Sequence, residues 1–144
     1  MSIEQRSLEE VVLAYIEAWN TPDEEARRTL LDRCWADDAT YTDPASEVRS
    51  KDALVAHIGG FLRGERHGLG AGCRIPISSG VEHHHGMIRF TWVLLNPEGV
   101  PVSRGLDFGE LAPDGHLLQR ITGFFGPPPP IPDDWPDHLV WHGD

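Results

Sequence analysis

The sequence predicts an α+β domain in which three N-terminal helices are followed by a curved antiparallel sheet. Apolar residues recur at helical spacing within the first 63 positions, whereas four later segments alternate or are rich in β-forming residues. Turn signals at 96–99 and 113–115 separate later segments, so neighbouring strands are expected to pair as antiparallel hairpins. The length of 144 residues fits one domain with a core of its own.

The first helix is predicted over residues 7–20. Ser7 and Glu10 form a capping box, in which each side chain bonds to a free backbone N–H of the first turn. Apolar residues at helical spacing follow and define one stripe. Tyr15 lies in the middle of this stripe and Trp19 lies near its end, so both are expected to face the interior.

Two more helices are predicted before the main part of the sheet. Pro22 follows a threonine N-cap and precedes two acids, a pattern that starts a helix, and we expect this helix to end near Trp35. Ser50 is a good N-cap for a third helix over residues 51–63. The apolar face of that helix includes His57, whose side chain titrates near neutrality.

Five strands are predicted. A short strand at residues 39–43 ends at Pro44, which places Asp43 beside the break. Four others follow the third helix, at residues 73–79, 83–95, 101–111 and 116–125.

The strand over residues 101–111 carries a carboxyl group between two glycines. Strand alternation places Gly105 and Gly109 on the same face as Asp107. Because glycine has no side chain, we expect a hollow there with the Asp107 carboxyl group in its wall. A hollow with a few convergent polar groups is typical of a small-molecule site.

The opposite face of that strand is apolar. Leu106 and Phe108 point away from Asp107, and an exposed apolar face of a sheet usually marks an interface. We therefore expect a homodimer through this outer face. Residues 1–126 are expected to form the domain. Residues 127–144 begin with four prolines and include two tryptophans, and this tail is expected to pack on the barrel or on the dimer partner.

The overall charge narrows the possible partners. A net charge of −11, from 12 basic and 23 acidic residues, argues against nucleic acid or an anionic membrane. No apolar run reaches the roughly 18 residues of a membrane span, and the polar, acidic N-terminus is unlike a signal peptide. Cys34 and Cys73 are expected to stay reduced in a cytoplasmic protein.

A run of three histidines resembles a metal site, but its spacing argues against one. Adjacent strand residues point to opposite faces, so only His83 and His85 could share an ion, and zinc needs a third ligand. No metal is expected. Strand parity groups His84 with Phe90 and Trp92 on the helix-facing side, at the rim of the pocket. A bulge after His85 would reverse this parity.

Several short motifs, taken in order, resemble SnoaL-like proteins of the nuclear transport factor 2-like superfamily. The resemblance covers roughly residues 7–126, and the motifs lie at residues 15–20, 36–44, 89–92, 105–108, 114–117 and 123–125. It implies a cone-shaped α+β barrel with a deep pocket at its open end, usually dimeric. Members of the superfamily include polyketide cyclases, ketosteroid isomerases, epoxide hydrolases, dehydratases and pure binders, so the fold indicates where the site lies and not its chemistry.

Within that superfamily, the ketosteroid isomerases are similar at three positions. Their oxyanion-binding tyrosine falls on Tyr15, their general base on Asp43 and their protonated, hydrogen-bond-donating aspartic acid on Asp107. This chain differs on the third helix. Ile58 stands where the isomerases have a supporting tyrosine, and His57 brings an imidazole into the pocket wall.

The residues and the resemblance together predict a pocket protein that binds a small, largely apolar carbonyl compound, with no cofactor. As an enzyme it would transfer a proton beside that carbonyl, as in isomerisation, cyclisation or dehydration. Asp43 or His57 would be the base, and Tyr15 and Asp107 would be oxyanion donors. The rest of the pocket wall is expected to comprise Trp19, Trp35, Tyr41, Phe61, His84, Phe90, Trp92 and Phe124.

Two other functions remain open from the sequence. One is a non-catalytic ligand-binding domain that uses the same groups for orientation, and the other is a dimeric assembly module. Each candidate residue also has a structural interpretation. The Asp107 carboxylate could bond to a backbone group, Asp43 could end a strand in a turn, and Tyr15 and His57 could be core residues.

Overall fold

The computed structural model describes residues 3–66 and 68–143. Over these ranges the chain forms three α-helices, six strands and one short 3-10 helix. Their bounds are α1 Ile3–Ala18, α2 Glu24–Cys34, β1 Trp35–Asp43, β2 Ser46–Arg49, α3 Lys51–Leu62, β3 Glu82–His84, β4 Met87–Leu95, β5 Pro101–Leu111, β6 Leu118–Phe125 and η1 Asp137–Leu139.

The six strands form one curved, unclosed sheet in the order β2-β1-β6-β5-β4-β3. The predicted α+β class is confirmed, but the sheet is mixed. β1 runs parallel to β6, and every other neighbouring pair is antiparallel. A parallel pair needs a long connection, and the chain between β1 and β6 supplies one because it includes α3 and four further strands of the sheet.

The helices occupy the predicted regions, but two predicted N-terminal caps are wrong. α1 begins at Ile3, so Ser7 and Glu10 lie inside it and do not cap it. α2 is capped by Asp23 instead of Thr21, and the Asp23 side chain accepts a hydrogen bond from the Ala26 N–H at 2.9 Å. Ser50 caps α3, as predicted. α2 ends at Cys34 because Trp35 already pairs with β6 and its side chain is fully buried. Within the described ranges, no helix is long and apolar enough to cross a bilayer.

Two predicted strands differ from the structure in form, while β1 begins at Trp35 instead of residue 39 and β2 was not predicted. The segment 83–95 is a hairpin of β3 and β4, because His85 and Gly86 both have positive φ angles (51° and 75°) and make its tight turn. Residues 73–79 are not a continuous strand and make two isolated bridges to β4. Pro76 in this segment has no backbone N–H to donate, which limits its backbone pairing.

Arg27 is a buried charged residue that ties the helices together. Its Nε donates to the Val55 carbonyl at 3.1 Å, and its Nη1 donates to the carbonyls of Thr21 at 3.0 Å and Pro22 at 3.2 Å. A Cβ atom at Gly59 would lie 2.7 Å from Nη2 of Arg27. Glycine at this position therefore leaves the space that the guanidinium needs to fix α3 against α2.

The tail after β6 lies largely exposed. The exposed fractions of Trp135, Leu139 and Trp141 are 57%, 74% and 73%. A contiguous patch of exposed apolar side chains usually marks an interaction surface. Packing of this tail on the barrel or on a second subunit stays a prediction.

Candidate functional site

A cavity of about 510 Å³ lies between the helices and the concave face of the sheet. Small-molecule sites commonly fall in this range of volume. Eight of the twelve residues singled out in the sequence line it, namely Tyr15, Trp19, Tyr41, Asp43, His57, Phe61, Trp92 and Asp107. Their catalytic roles stay predictions.

Two of the other four residues belong to the core. Trp35 is fully buried and stacks on Tyr15, with ring centroids 5.6 Å apart. Phe90 is 1% exposed and packs among the core residues. Both were correctly expected to face the interior, but neither lines the cavity.

The placements of Phe124 and His84 on the pocket wall are wrong. Asp107 pairs with Gly123 across β5 and β6, so Gly123 shares the inner face and Phe124 points outward. Phe125 lines the cavity instead. His84 lies on β3, whose three residues are all exposed, because the tight turn after it takes this strand out to the edge of the sheet.

Asp107 is the most deeply buried acid of the site, with 5% of its surface exposed. The Trp92 Nε1–H donates to its Oδ1 at 3.0 Å. Burial raises the pKa of Asp107 to about 7, the Trp92 hydrogen bond acts in the opposite direction, and the Asp43 charge raises it again. The neutral acid is therefore well populated near neutrality.

The hollow predicted between Gly105 and Gly109 is filled. A Cβ atom at Gly105 would lie 2.0 Å from the Trp92 ring, and one at Gly109 would lie 2.8 Å from two isoleucine side chains. Both glycines therefore leave space for neighbouring side chains. The empty volume lies beside Asp107, and Gly105 allows the indole of Trp92 to reach its carboxyl group.

Gly123 is a site residue that the sequence interpretation missed. A Cβ atom there would lie 3.0 Å from Oδ1 of Asp107 and 3.7 Å from Cβ of Asp43. Its lack of a side chain leaves room for both acids on one wall. A glycine inside a strand often marks such a close approach, but its role depends on the pairing with Asp107.

Asp43 is held on both of its oxygens. The Tyr41 hydroxyl donates to Oδ2 at 2.6 Å, and the Ala45 N–H donates to Oδ1 at 2.8 Å. Tyr41 and Asp43 are two apart in β1, so they share its inner face. Burial raises the pKa of Tyr41 well above its usual value, and the bond to Asp43 raises it further. Tyr41 is therefore a stable donor that orients the carboxylate.

Tyr15 has a buried hydroxyl group with no hydrogen-bond partner among the described residues. Burial raises its pKa well above the usual value, and the Asp107 charge adds to this. Buried polar atoms are seldom left unpaired. The Trp19 indole acts in the opposite direction on this pKa, but an indole N–H only donates, so the proton of the neutral phenol has no acceptor among the described residues.

His57 places an imidazole in the same wall. Its ring packs against those of Trp19 and Tyr41, with centroids 6.0 Å and 5.6 Å away. Burial lowers the pKa of His57, and the positive charge of Arg66 lowers it further, while Asp43 raises it. The imidazole is therefore neutral at pH 7 and able to accept a proton.

The histidine run lies outside the cavity wall. His84 and His85 approach each other, with their Nδ1 atoms 3.2 Å apart. Across residues 3–66 and 68–143, no group of three or more potential ligands is placed to hold a metal ion.

The chain is similar to a known domain family and to several solved structures. The sequence model of the SnoaL-like domain matches residues 12–119. A candidate isomerase of the SnoaL-like family from Agrobacterium tumefaciens is 28% identical, with a TM-score of 0.72, over 81% of this chain and 95% of that one. No curated protein matches the chain.

Two more distant structures share the fold. A candidate SnoaL-like polyketide cyclase from Jannaschia is 12% identical, with a TM-score of 0.65, over 87% of this chain and 89% of that one. A candidate ketosteroid isomerase from Kribbella flavida is 16% identical, with a TM-score of 0.59, over 96% of this chain and 91% of that one. At these identities the similarity concerns the fold alone.

Proposed function

The chain belongs to the SnoaL-like domain family, and we propose that its cavity binds a small, largely apolar carbonyl compound and transfers a proton beside the carbonyl. The observation that carries this proposal is the pair of acids on one wall, Asp43 and Asp107, in contrasting surroundings. Such contrast allows one site to supply both an acid and a base. The similar structure named as a candidate isomerase of the SnoaL-like family supports the same class of chemistry.

Asp107 and Tyr15 are the proposed donors to the carbonyl oxygen. Trp92 engages Oδ1 of Asp107, which leaves Oδ2 to carry the proton. The unpartnered hydroxyl of Tyr15 provides a second donor. As a proton leaves the neighbouring carbon, negative charge grows on the carbonyl oxygen, and two preorganised donors in a water-poor cavity stabilise that charge.

Asp43 is the proposed base, with His57 as the alternative. The hydrogen bonds from Tyr41 and Ala45 fix the direction of the Asp43 carboxylate. It would take a proton from the carbon beside the carbonyl and return it to another carbon of the same substrate, as in isomerisation. His57 is neutral and could take the same proton.

The apolar part of the cavity wall supports an apolar substrate. Trp19, Phe61 and Ile16 are among its residues, together with Ile75 and Leu94. Trp19 also makes edge contacts with the ring of Phe61, at a centroid distance of 5.7 Å. A ring or chain of carbon atoms would replace water along this surface, which favours binding in proportion to the area covered.

The test is the exchange of carbon-bound protons for deuterium. Ketones that raise the melting temperature would be incubated with the protein in D₂O, and the signals of protons beside the carbonyl would be followed by NMR. We expect wild-type protein to speed their loss, and Asp43→Asn to slow it by about 10²–10⁴-fold. Asp38→Asn, on an exposed part of the same strand, is the matched control and should exchange at the wild-type rate.

A non-catalytic binder is the second candidate function. Both oxygens of Asp43 already accept hydrogen bonds, an arrangement that also suits a carboxylate used only for orientation. Ketones that stabilise the wild-type protein, without any exchange above the buffer rate and without any isomerised product, would favour this candidate and count against proton transfer.

A further inference from the structure

We propose that the ligand carries a carboxylate at the end away from its carbonyl, and that Arg66 at the exposed end of the cavity binds it. This inference rests on the proposed function, because that function places the carbonyl at the buried end, beside Tyr15 and Asp107. It defines the substrate class as a keto acid with an apolar middle.

The cavity wall changes character along its length. Tyr15 and Asp107 are buried, whereas Glu65, Arg66 and Leu69 are exposed and line the same cavity. A ligand that fills the volume therefore has one end in a water-poor environment and the other end near solvent. A charged group is far less costly at the exposed end than at the buried end.

Arg66 is held in place by the fold of its loop. The Glu65 N–H donates to the Gly60 carbonyl at 3.0 Å, and the Leu69 N–H donates to the Arg66 carbonyl at 3.2 Å. Gly70 has a φ angle of 98°, and a Cβ atom there would lie 2.0 Å from a carbonyl oxygen of α3. The loop therefore packs closely on the end of α3 and fixes the backbone of Arg66 at the wall.

The charge of Arg66 has no carboxylate partner among the described residues. Its Nη1 donates to the Ser46 hydroxyl at 3.4 Å, which leaves most of the five guanidinium N–H groups unused. The neighbouring acid, Glu65, forms an ion pair with Arg63 instead. Arg66 is also the one Lys or Arg in the described cavity wall.

The field of Arg66 reaches the proposed reaction site. Burial is the largest cause that lowers the pKa of His57, and the positive charge of Arg66 is the second largest. An anionic ligand group on Arg66 would offset that charge. The planar guanidinium matches a carboxylate with two parallel hydrogen bonds, so a carboxylate is the anion that this residue recognises best.

The test compares two probes that differ only in charge. An acetylnaphthoic acid and its methyl ester share a ketone and an aromatic body, and only the acid is anionic at pH 7. Dissociation constants would be measured by fluorescence titration. We expect wild-type protein to bind the acid about fivefold more tightly than the ester, the size of an exposed ion pair, and we expect higher salt to reduce this ratio.

Substitutions of Arg66 test whether this residue causes the preference for the acid over the ester. Arg66→Gln should bring the ratio close to one without changing the affinity for the ester, and Arg66→Lys should keep part of it. Arg104→Gln removes the same charge from the exposed outer side of β5 and should keep the wild-type ratio.

The outcomes separate this inference from the proposed function. An acid-to-ester ratio that is unchanged in Arg66→Gln overturns the inference, while binding of both probes leaves the carbonyl site standing. Failure of wild-type protein to bind either probe counts against the carbonyl site itself and removes the basis for the inference.

Discussion

The two faces of the same sheet show opposite relations between polarity and burial. On the concave face of β5, Asp107 is 5% exposed, whereas Phe108 on the convex face is 38% exposed and Phe124 beside it is 53% exposed. Residues of two neighbouring strands thus bury an acid on one face and expose aromatic rings on the other. The buried acid needs a specific donor, Trp92, while the exposed rings cost little. Polar groups inside and apolar groups outside are both informative, because each is the less common arrangement.

The two faces should differ most in how their carboxyl groups make the free energy of unfolding depend on pH. Burial raises the pKa of Asp107 to about 7, from 3.8 in the unfolded chain. The folded protein therefore holds a proton that the unfolded chain has released, and stability falls as pH rises between those values. At about 1.4 kcal/mol per pH unit, the loss reaches about 4 kcal/mol.

Urea denaturation between pH 4 and pH 8 would measure this loss. Asp107→Asn has the same shape and no acid, so we expect its free energy of unfolding to lack the decline. Glu110→Gln removes a carboxyl group from the outer side of the same strand and should keep the wild-type curve. A difference between the wild-type and Asp107→Asn free energies that stays constant from pH 4 to pH 8 would show that the pKa of Asp107 is not raised by burial.

The close packing behind Asp107 gives the next largest effect. Because a Cβ atom at Gly105 would overlap the Trp92 ring, Gly105→Ala should displace the indole and break its hydrogen bond to Asp107. We expect a loss of about 3 kcal/mol in the free energy of unfolding, the upper part of the range for overpacking. Gly80→Ala is the control, since a Cβ atom there meets nothing within 4 Å. Equal stability of the two variants would mean that the Trp92 ring moves freely.

Substitutions on the convex face should change the free energy of unfolding of a single chain much less. Phe124 contacts the edge of Phe108, with ring centroids 6.0 Å apart, and otherwise faces solvent. Phe124→Ala should therefore change the free energy of unfolding by about 1 kcal/mol or less at low protein concentration. If a second copy covers this face, as we predict, the variant should also weaken self-association. Sedimentation velocity would measure this, and a dimer that persists after both rings are replaced would place the interface elsewhere.

Local sequence patterns were sufficient for much of the architecture. Helical spacing placed Tyr15 and Trp19 on one inward stripe, and strand alternation placed Asp107 on the inner face. These inferences need only periodicities of 3.6 and 2, which the chain keeps within each element. The resemblance added Asp43, and all four residues line one cavity.

Features that depend on contacts between distant segments could not be predicted. Gly123 becomes a site residue only through its pairing with Asp107, and the parallel pairing of β1 with β6 joins segments far apart in the chain. Local backbone conformations were also difficult to predict from the sequence. The positive φ angle of His85 ends β3 and turns His84 away from the cavity. Arg66 lies in a loop, where no periodicity indicates which way a side chain points.

His57 provides the smallest expected effect and the sharpest test of which group is the base. Burial, and then the charge of Arg66, lowers the pKa of His57 below 6.5. The unfolded chain therefore binds a proton more readily, so this residue makes stability fall as pH drops below about 6.5, the opposite direction from Asp107. The two effects oppose each other in the wild-type protein, and Asp107→Asn should reveal the shallow loss on the acid side. Adding His57→Gln should remove that loss. If the Asp107→Asn curve stays flat from pH 7 to pH 5, the imidazole is not held neutral by its surroundings. His57 would then keep its ordinary pKa and would remain a suitable base, so the choice between it and Asp43 would rest on the exchange rates of Asp43→Asn and His57→Gln.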